Sequence, residues 1–146
     1  MSNNSFYREE CGRFIVAPGM LNHMNILHGG VLVTHLDSAI GILVSEYNHS
    51  LAVTGRINYF SFTKRAVVGD HISFELTLLQ TSKHTMMVYA DVLRKTLDGE
   101  KTVIGSGIFT FVAVDSNFTP VPVKPLTITD PEQKAFIQTK LAKYKK

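Results

Sequence analysis

The chain has 146 residues, 45% of them hydrophobic, which is enough apolar sequence for one folded domain with its own core. Charge is almost balanced through Val123, and the net charge of +3 arises from six lysines after that residue. Aromatic residues are not interleaved with these lysines, so no nucleic-acid-binding face is expected. No apolar run is long enough to span a membrane, and the N-terminus has no signal pattern. Together with a single cysteine, Cys11, these features predict a cytoplasmic protein.

The first third of the chain predicts one short strand and one long helix. The strand lies around residues 13–16, and Pro18-Gly19 then marks a turn into a loop. The helix is predicted over residues 31–47, where apolar residues occur on every side. That pattern is typical of a helix buried all round.

The middle of the chain predicts four antiparallel strands. Residues 52–62 are rich in β-branched and aromatic side chains, and apolar and polar residues alternate over 72–78 and again over 86–92. Asp98-Gly99 indicates a hairpin turn into the last strand, over 103–114. Two glycines within that strand, Gly105 and Gly107, indicate strong bending or close backbone approach.

A second helix is predicted at the C-terminus. Asp130 is placed as its N-cap, Pro131 as its first residue and Gln133 as the partner in a capping box. The basic segment is either a solvated helix or an attractor of a polyanionic ligand. The predicted fold class is α+β, with one long central helix covered by a curved antiparallel sheet and a peripheral C-terminal helix. We expect one domain over residues 1–125, the basic helix of 126–146 appended to it, and edge-to-edge dimers.

Asp37 is the most informative residue for function. It lies in the middle of the apolar helix, where a carboxylate is a poor helix former and is costly to bury without a partner. One interpretation is a structural aspartate bonded to a neighbouring backbone amide. The other is a catalytic carboxylate that lines a cleft.

Gly29 and Gly30 lie at the N-terminal end of that helix. Its first amides lack intrahelical acceptors and carry the positive end of the helix dipole, so they could stabilise an oxyanion. Asp37 follows two turns later, about 10 Å along the axis. It could therefore act on a substrate at the glycines only if the substrate extended along the helix or the carboxylate came from a partner subunit. His28 is interpreted as a structural or ligand-orienting catalytic-site residue, and a general base is the alternative.

Other chemistries lack their motifs. There is no Gly-x-Ser-x-Gly, no His-Glu-x-x-His and no phosphate-binding Gly-rich loop. The histidines lack the spacing and carboxylate partners of a zinc site, so no metal is expected.

The residues resemble the active-site signature of hotdog-fold acyl-CoA thioesterases, in the acyl-CoA hydrolase branch. The signature consists of Asn22, His28, Gly29, Gly30 and Asp37 at their observed spacing. Three later segments agree in order and spacing. They are Phe60-Ser61-Phe62 with Val68-Gly69-Asp70, then Gln80 to His84, then Phe111 to Asp115 with Pro120 and Pro122.

The resemblance implies a role for each residue of the signature. Asp37 would act as general base or nucleophile on an acyl-CoA thioester, and the Gly30 amide would bind the thioester oxygen. Asn22 would help to place the attacking water, across a subunit interface from the aspartate. Cofactors would not be required, because coenzyme A is part of the substrate. The family works as dimers, often assembled further into tetramers or hexamers.

The coenzyme A moiety is expected to contact Gly29, Ser82, Lys83 and Arg65. Arg65 stands where the family usually has proline, and Asn25 stands where it usually has glycine. These departures concern substrate fit and the shape of the loop before His28 more than the reaction type. Two alternatives stay open, a hotdog-fold acyl-CoA hydratase or dehydratase and a non-catalytic acyl-CoA-binding module.

Overall fold

The computed structural model describes residues 6–144, which form one antiparallel sheet with a helix on each face. The five strands lie in the order β1-β3-β4-β5-β2, so β1 and β2 are the two edges. This architecture confirms the predicted α+β hotdog fold. The elements are β1 Arg8–Ile15, a short 3-10 turn at Pro18–Met20, α1 Gly29–Asn48, β2 Leu51–Phe62, β3 His71–Thr81, β4 Thr85–Lys95, β5 Lys101–Val114 and α2 Pro131–Tyr144.

The alternating strands place their apolar residues on the inner face of the sheet, as predicted. In β3 these residues are Ile72, Phe74, Leu76 and Leu78, all at most 1% exposed. They pack with α1 into the main core. The prediction for β1 was wrong at its N-terminal end, because the strand begins at Arg8 rather than near residue 13. The N-terminal end of this strand was not predicted because its residues are charged and do not show a strand pattern. Backbone pairing with β3 forms the strand there.

Helix α1 begins two residues before its predicted start and is not buried all round. Its buried side chains form one stripe that includes Leu32, Leu36 and Leu43, and this stripe faces the sheet. The sheet covers one side of the helix only, so Ile42 remains 60% exposed in the single chain. The prediction of complete burial therefore fails for one chain taken alone.

The close approach of β2 and β5 explains why position 107 in the last strand is a glycine. A Cβ atom at Gly107 would lie 2.6 Å from Cδ1 of Phe60. The register between the two strands also shifts between Ile57 and Tyr59. A side chain at position 107 would push the strands apart, as the sequence predicted for this glycine.

Helix α2 packs on the outer face of the sheet. Its Ile137 joins a second apolar cluster with Leu79, Tyr89 and Ile108. The Asp130 carboxylate accepts a hydrogen bond from the Gln133 amide at 3.0 Å, which confirms the predicted N-cap. The side chain of Tyr144 lies outside the described residues. Within residues 6–144, no helix is both long and apolar enough to cross a membrane.

Candidate active site

A cleft of about 580 Å³ opens at the N-terminus of α1. The helix start contributes Gly29 and Leu32, and the preceding loop contributes Asn22. The end of β2 and the segment after it form the opposite wall. The residues of that wall are Phe62, Thr63, Lys64, Arg65 and Ala66, with Ile104 of β5 beside them.

The loop before α1 is organised by Asn22. Its Oδ1 accepts hydrogen bonds from the backbone amides of Met24 at 2.8 Å and Ile26 at 3.4 Å. Asn25 has a φ of 62°, a left-handed conformation that asparagine tolerates better than most residues other than glycine. Asn25 therefore adopts the kind of backbone conformation for which a glycine is usually selected.

His28 is the N-cap of α1. Its Nδ1 accepts a hydrogen bond from the Gly30 amide at 2.9 Å, and this bond requires an unprotonated Nδ1. The sequence interpretation of His28 as structural or orienting agrees with this geometry. It also means that the Gly30 amide already has an acceptor, so a ligand oxygen can use that amide only by displacing the imidazole.

Asp37 and Thr54 form the second polar feature of α1. The Thr54 hydroxyl donates to Oδ1 of half-buried Asp37 at 2.6 Å. The predicted structural alternative, a bond to a neighbouring backbone amide, is not the contact observed for this carboxylate. The sequence did not indicate that Thr54 contacts Asp37, because Thr54 lies on β2, seventeen residues from its partner.

The cleft and the Asp37–Thr54 pair are separate within one chain. Asp37 does not line the cleft, and seven helical residues place it about 10 Å from Gly30 along the axis. Direct action of Asp37 on a group bound at Gly30 of the same chain therefore requires a ligand that extends along the helix.

Only some of the predicted coenzyme A contacts lie at the cleft. Gly29 and Arg65 line it, together with Lys64, which the sequence analysis missed. Ser82 and Lys83 form the exposed turn between β3 and β4, at the opposite end of the sheet. That end also holds the Asp37–Thr54 pair, because the registers of β2, β4 and β5 bring Thr54 and Met86 beside the same residue, Phe111.

Cys11 takes no part in the site. Burial, with added effects from nearby glutamates, raises the pKa of its thiol to about 11. The thiol is therefore protonated near neutral pH and is a poor nucleophile.

Comparison with known proteins agrees with this fold. Residues 24–100 match the sequence profile of the thioesterase superfamily. An uncharacterized acyl-CoA thioester hydrolase of Bacillus subtilis is 28% identical over 84% of this chain and 71% of its own length. A protein of the same description from Zymomonas mobilis is 29% identical over 80% of this chain and 79% of its own.

Solved structures show the same architecture. A hexameric acyl-CoA thioesterase superposes with a TM-score of 0.84 at 28% identity, covering 95% of this chain and 89% of the other. An acyl-CoA hydrolase from Bacillus cereus superposes with a TM-score of 0.81 at 26% identity, covering 98% of this chain and 86% of the other. The superfamily profile spans more than half of the sequence. This chain therefore belongs to the thioesterase superfamily.

Proposed function

We propose that this protein is an acyl-CoA thioesterase, which hydrolyses an acyl-CoA thioester to a carboxylic acid and coenzyme A. The observation that carries the proposal is the half-buried Asp37 of α1, which accepts a hydrogen bond from Thr54 of β2. The N-terminus of the same helix lines the cleft. The similar proteins are an acyl-CoA thioesterase and proteins named as acyl-CoA thioester hydrolases, and this supports the same substrate class.

The proposed reaction needs a base and an oxyanion site, but no metal or cofactor. Asp37 takes a proton from water as the water oxygen attacks the thioester carbonyl carbon. The carbonyl oxygen gains charge, and the carbon–sulfur bond then breaks to release coenzyme A, whose thiolate takes up the proton held by Asp37. The Thr54 hydroxyl orients the carboxylate. General-base assistance contributes typically 10²- to 10⁴-fold in rate.

The Gly30 amide is the proposed oxyanion donor. It lies at the positive end of the helix dipole, and glycine leaves room for a ligand to approach. The oxyanion would replace Nδ1 of His28 as the acceptor of this amide. Because Oδ1 of Asn22 is bonded to its own loop, the side-chain N–H groups of Asn22 remain as donors to the attacking water or the carbonyl.

A second copy of the chain would complete the site. Strand β2 is a sheet edge, and the apolar side chains of Val53 and Ile57 on it are exposed. Thr54 and Phe62 lie at equal distances on either side of Asn58. Antiparallel pairing of two β2 strands about that residue would therefore set the Asp37–Thr54 pair of one chain beside the cleft of the other. The hexameric relative supports further assembly of such dimers.

The same β2 pairing would bring the proposed coenzyme A contacts of two chains together. Gly29 and Arg65 of one chain, with Lys64 beside them, would meet the phosphates at the mouth of the cleft. Ser82 and Lys83 would approach from the second chain, because they lie at the same sheet end as Asp37.

Free-thiol release from short-, medium- and long-chain and aromatic acyl-CoAs tests the proposal. Wild type should release thiol, and Asp37→Asn should lose at least about 100-fold in kcat. Glu46→Gln is the matched control, because it removes an exposed carboxylate from the same helix without touching the site. It should behave as wild type.

Equal activity in Asp37→Asn would exclude Asp37 from the mechanism. Absence of thiol release from every substrate by folded wild type would instead favour a binding module, or a hydratase if an unsaturated acyl-CoA added to the panel gains water.

A further inference from the structure

The outer wall of the cleft includes an irregular segment that hydrogen bonds hold in place. It covers residues 63–66, directly after β2, and we call it the rim segment. At its start, the amide of Thr63 donates to the Ile104 carbonyl of β5 at 2.9 Å. At its end, the Ala66 carbonyl accepts from the amide of Leu27, in the loop before α1, at 2.8 Å. Both ends of the rim segment are therefore attached to neighbouring elements.

The middle of the rim segment is held by Arg94, near the end of β4. Arg94 stands opposite Ile72 of β3, so its side chain lies on the inner face of the sheet. Its guanidinium donates a hydrogen bond from Nη1 to the Arg65 carbonyl, and a charged donor makes this bond stronger than a neutral one. Arg94 is half-buried and does not line the cleft. It therefore fixes the backbone of the rim segment without occupying the space of a ligand.

The rim segment carries two exposed cations, Lys64 and Arg65, and both line the cleft. Neither takes part in the ion pairs of residues 6–144, which are all made by Glu10. Within the same residues, the lining of the cleft includes no acidic side chain. The N-terminus of α1 adds the positive end of its dipole at Gly29. The cleft therefore favours an anionic ligand group.

We propose that Arg94 is a positioning residue that makes the cleft selective for thioesters of coenzyme A over thioesters of pantetheine alone. By holding the Arg65 carbonyl, it orients Lys64 and Arg65 toward the phosphates that coenzyme A has and pantetheine lacks. Ordering these side chains before binding reduces the entropy cost of binding. The inference rests on the proposed function for its substrate class, but the binding of coenzyme A can be measured without hydrolysis.

The first test compares kcat/KM for one acyl group carried by coenzyme A and by pantetheine. Arg94→Met removes the donor but keeps an unbranched side chain. With the coenzyme A thioester it should lower kcat/KM about tenfold, mainly through KM, as expected for the loss of one hydrogen bond to a charged group. With the pantetheine thioester, kcat/KM should stay at the wild-type value. Arg94→Lys keeps the charge and a donor, so it should recover most of the loss.

Arg13→Met is the matched control, because it removes an arginine that is 72% exposed and does not line the cleft. It should leave both substrates as in wild type. A double-mutant cycle then shows whether Arg94 acts through the rim cations. In a chain that carries Lys64→Met and Arg65→Met, the further change Arg94→Met should have no effect on either substrate.

Isothermal titration calorimetry with coenzyme A separates this inference from the proposed function. Wild type should bind coenzyme A, and Arg94→Met should bind it about tenfold more weakly, by the same loss of one charged contact. This result would support the role of Arg94 even in a protein that hydrolyses no thioester. Arg94→Gln replaces Arg94→Met in every measurement if the methionine variant does not fold.

Three outcomes would overturn the proposal. The first is wild-type selectivity in a folded variant that lacks the Arg94 donor. The second is an equal loss with both substrates, because that would assign Arg94 only to the general shape of the cleft. The third is a full additional loss from Arg94→Met in the chain without the rim cations, because Arg94 would then act independently of them.

Discussion

The inner face of the sheet packs against α1 through Ile72, Phe74 and Leu76, all fully buried, whereas the outer face carries the charged residues Glu10 and Lys95. On the inner face, stability comes from apolar area and close fit. On the outer face, charges are joined in pairs and α2 covers the remaining apolar area. The candidate site adjoins the inner packing. The outer face is therefore where stability can be changed without changing catalysis.

The clearest outer-face cluster is centred on Glu10. Its carboxylate accepts from Lys95 at 2.8 Å and from the Ser73 hydroxyl at 3.0 Å, and Lys101 lies 3.5 Å away. The hydrogen bond from Lys95 is the largest cause of a pKa for Glu10 of about 2, with smaller contributions from Ser73 and Lys101. Burial of the carboxylate opposes this shift but does not outweigh it.

The largest effect on stability is expected on the inner face. Phe74→Ala should reduce the free energy of unfolding by about 3–5 kcal/mol, because it leaves a cavity beneath α1. Urea denaturation followed by circular dichroism measures the change. A loss below about 1 kcal/mol would contradict the distinction between the two faces.

A smaller loss is expected where α2 covers the outer face. The ring of half-buried Phe136 lies near two cations, with its centroid 4.5 Å from Cζ of Arg8 and 5.2 Å from Nζ of Lys140. Phe136→Ala should cost about 1–2 kcal/mol, combining lost apolar burial with two cation–π contacts. Thiol release per folded molecule should not change, and a large fall in kcat would link α2 to the site.

Removal of the Glu10 charge should reduce the free energy of unfolding by a still smaller amount. Glu10→Gln is expected to lose about 1 kcal/mol at pH 7, because the side chain is still partly exposed and solvent screens the ion pairs.

The Glu10 effect should also depend on pH with a defined sign. The folded-state pKa lies below the ordinary value of 4.5, so the carboxylate stabilises the fold above about pH 4.5. This contribution is lost as the pH falls from there through about 2. The difference in stability between wild type and Glu10→Gln should therefore shrink over that range in urea titrations. A difference that grows in acid would show that the ion pairs do not stabilise the fold.

The smallest effect is expected for Lys101→Gln. The lysine is 48% exposed and 3.5 Å from Glu10, so about 0–0.5 kcal/mol is expected. Added salt should remove the effect, since exposed pairs are screened. A loss as large as that of Glu10→Gln would identify Lys101 as the main partner instead of Lys95.

Much of the fold could be predicted from short-range pattern. The alternation from Ile72 to Leu78 and the cap at Asp130 depend on residues within a few positions of one another, and both predictions are confirmed. The start of β1 was missed because Arg8 and Glu9 do not resemble a strand, although long-range pairing with β3 makes them one. The exposed side of α1 was missed because composition cannot show which side of a helix the sheet leaves uncovered.

For the candidate site, the sequence was sufficient to predict a helix at the glycine pair Gly29-Gly30, the free amides at its N-terminus and the unusual carboxylate at Asp37. These features follow from backbone geometry and from the cost of a charge in an apolar segment. The three-dimensional structure was needed to show that Thr54 meets Asp37, that Phe62 and Arg65 face Asn22 across a cleft, and that Ser82 and Lys83 lie at the other end of the sheet. Strand order and register bring these distant residues together, and both depend on packing across the whole domain.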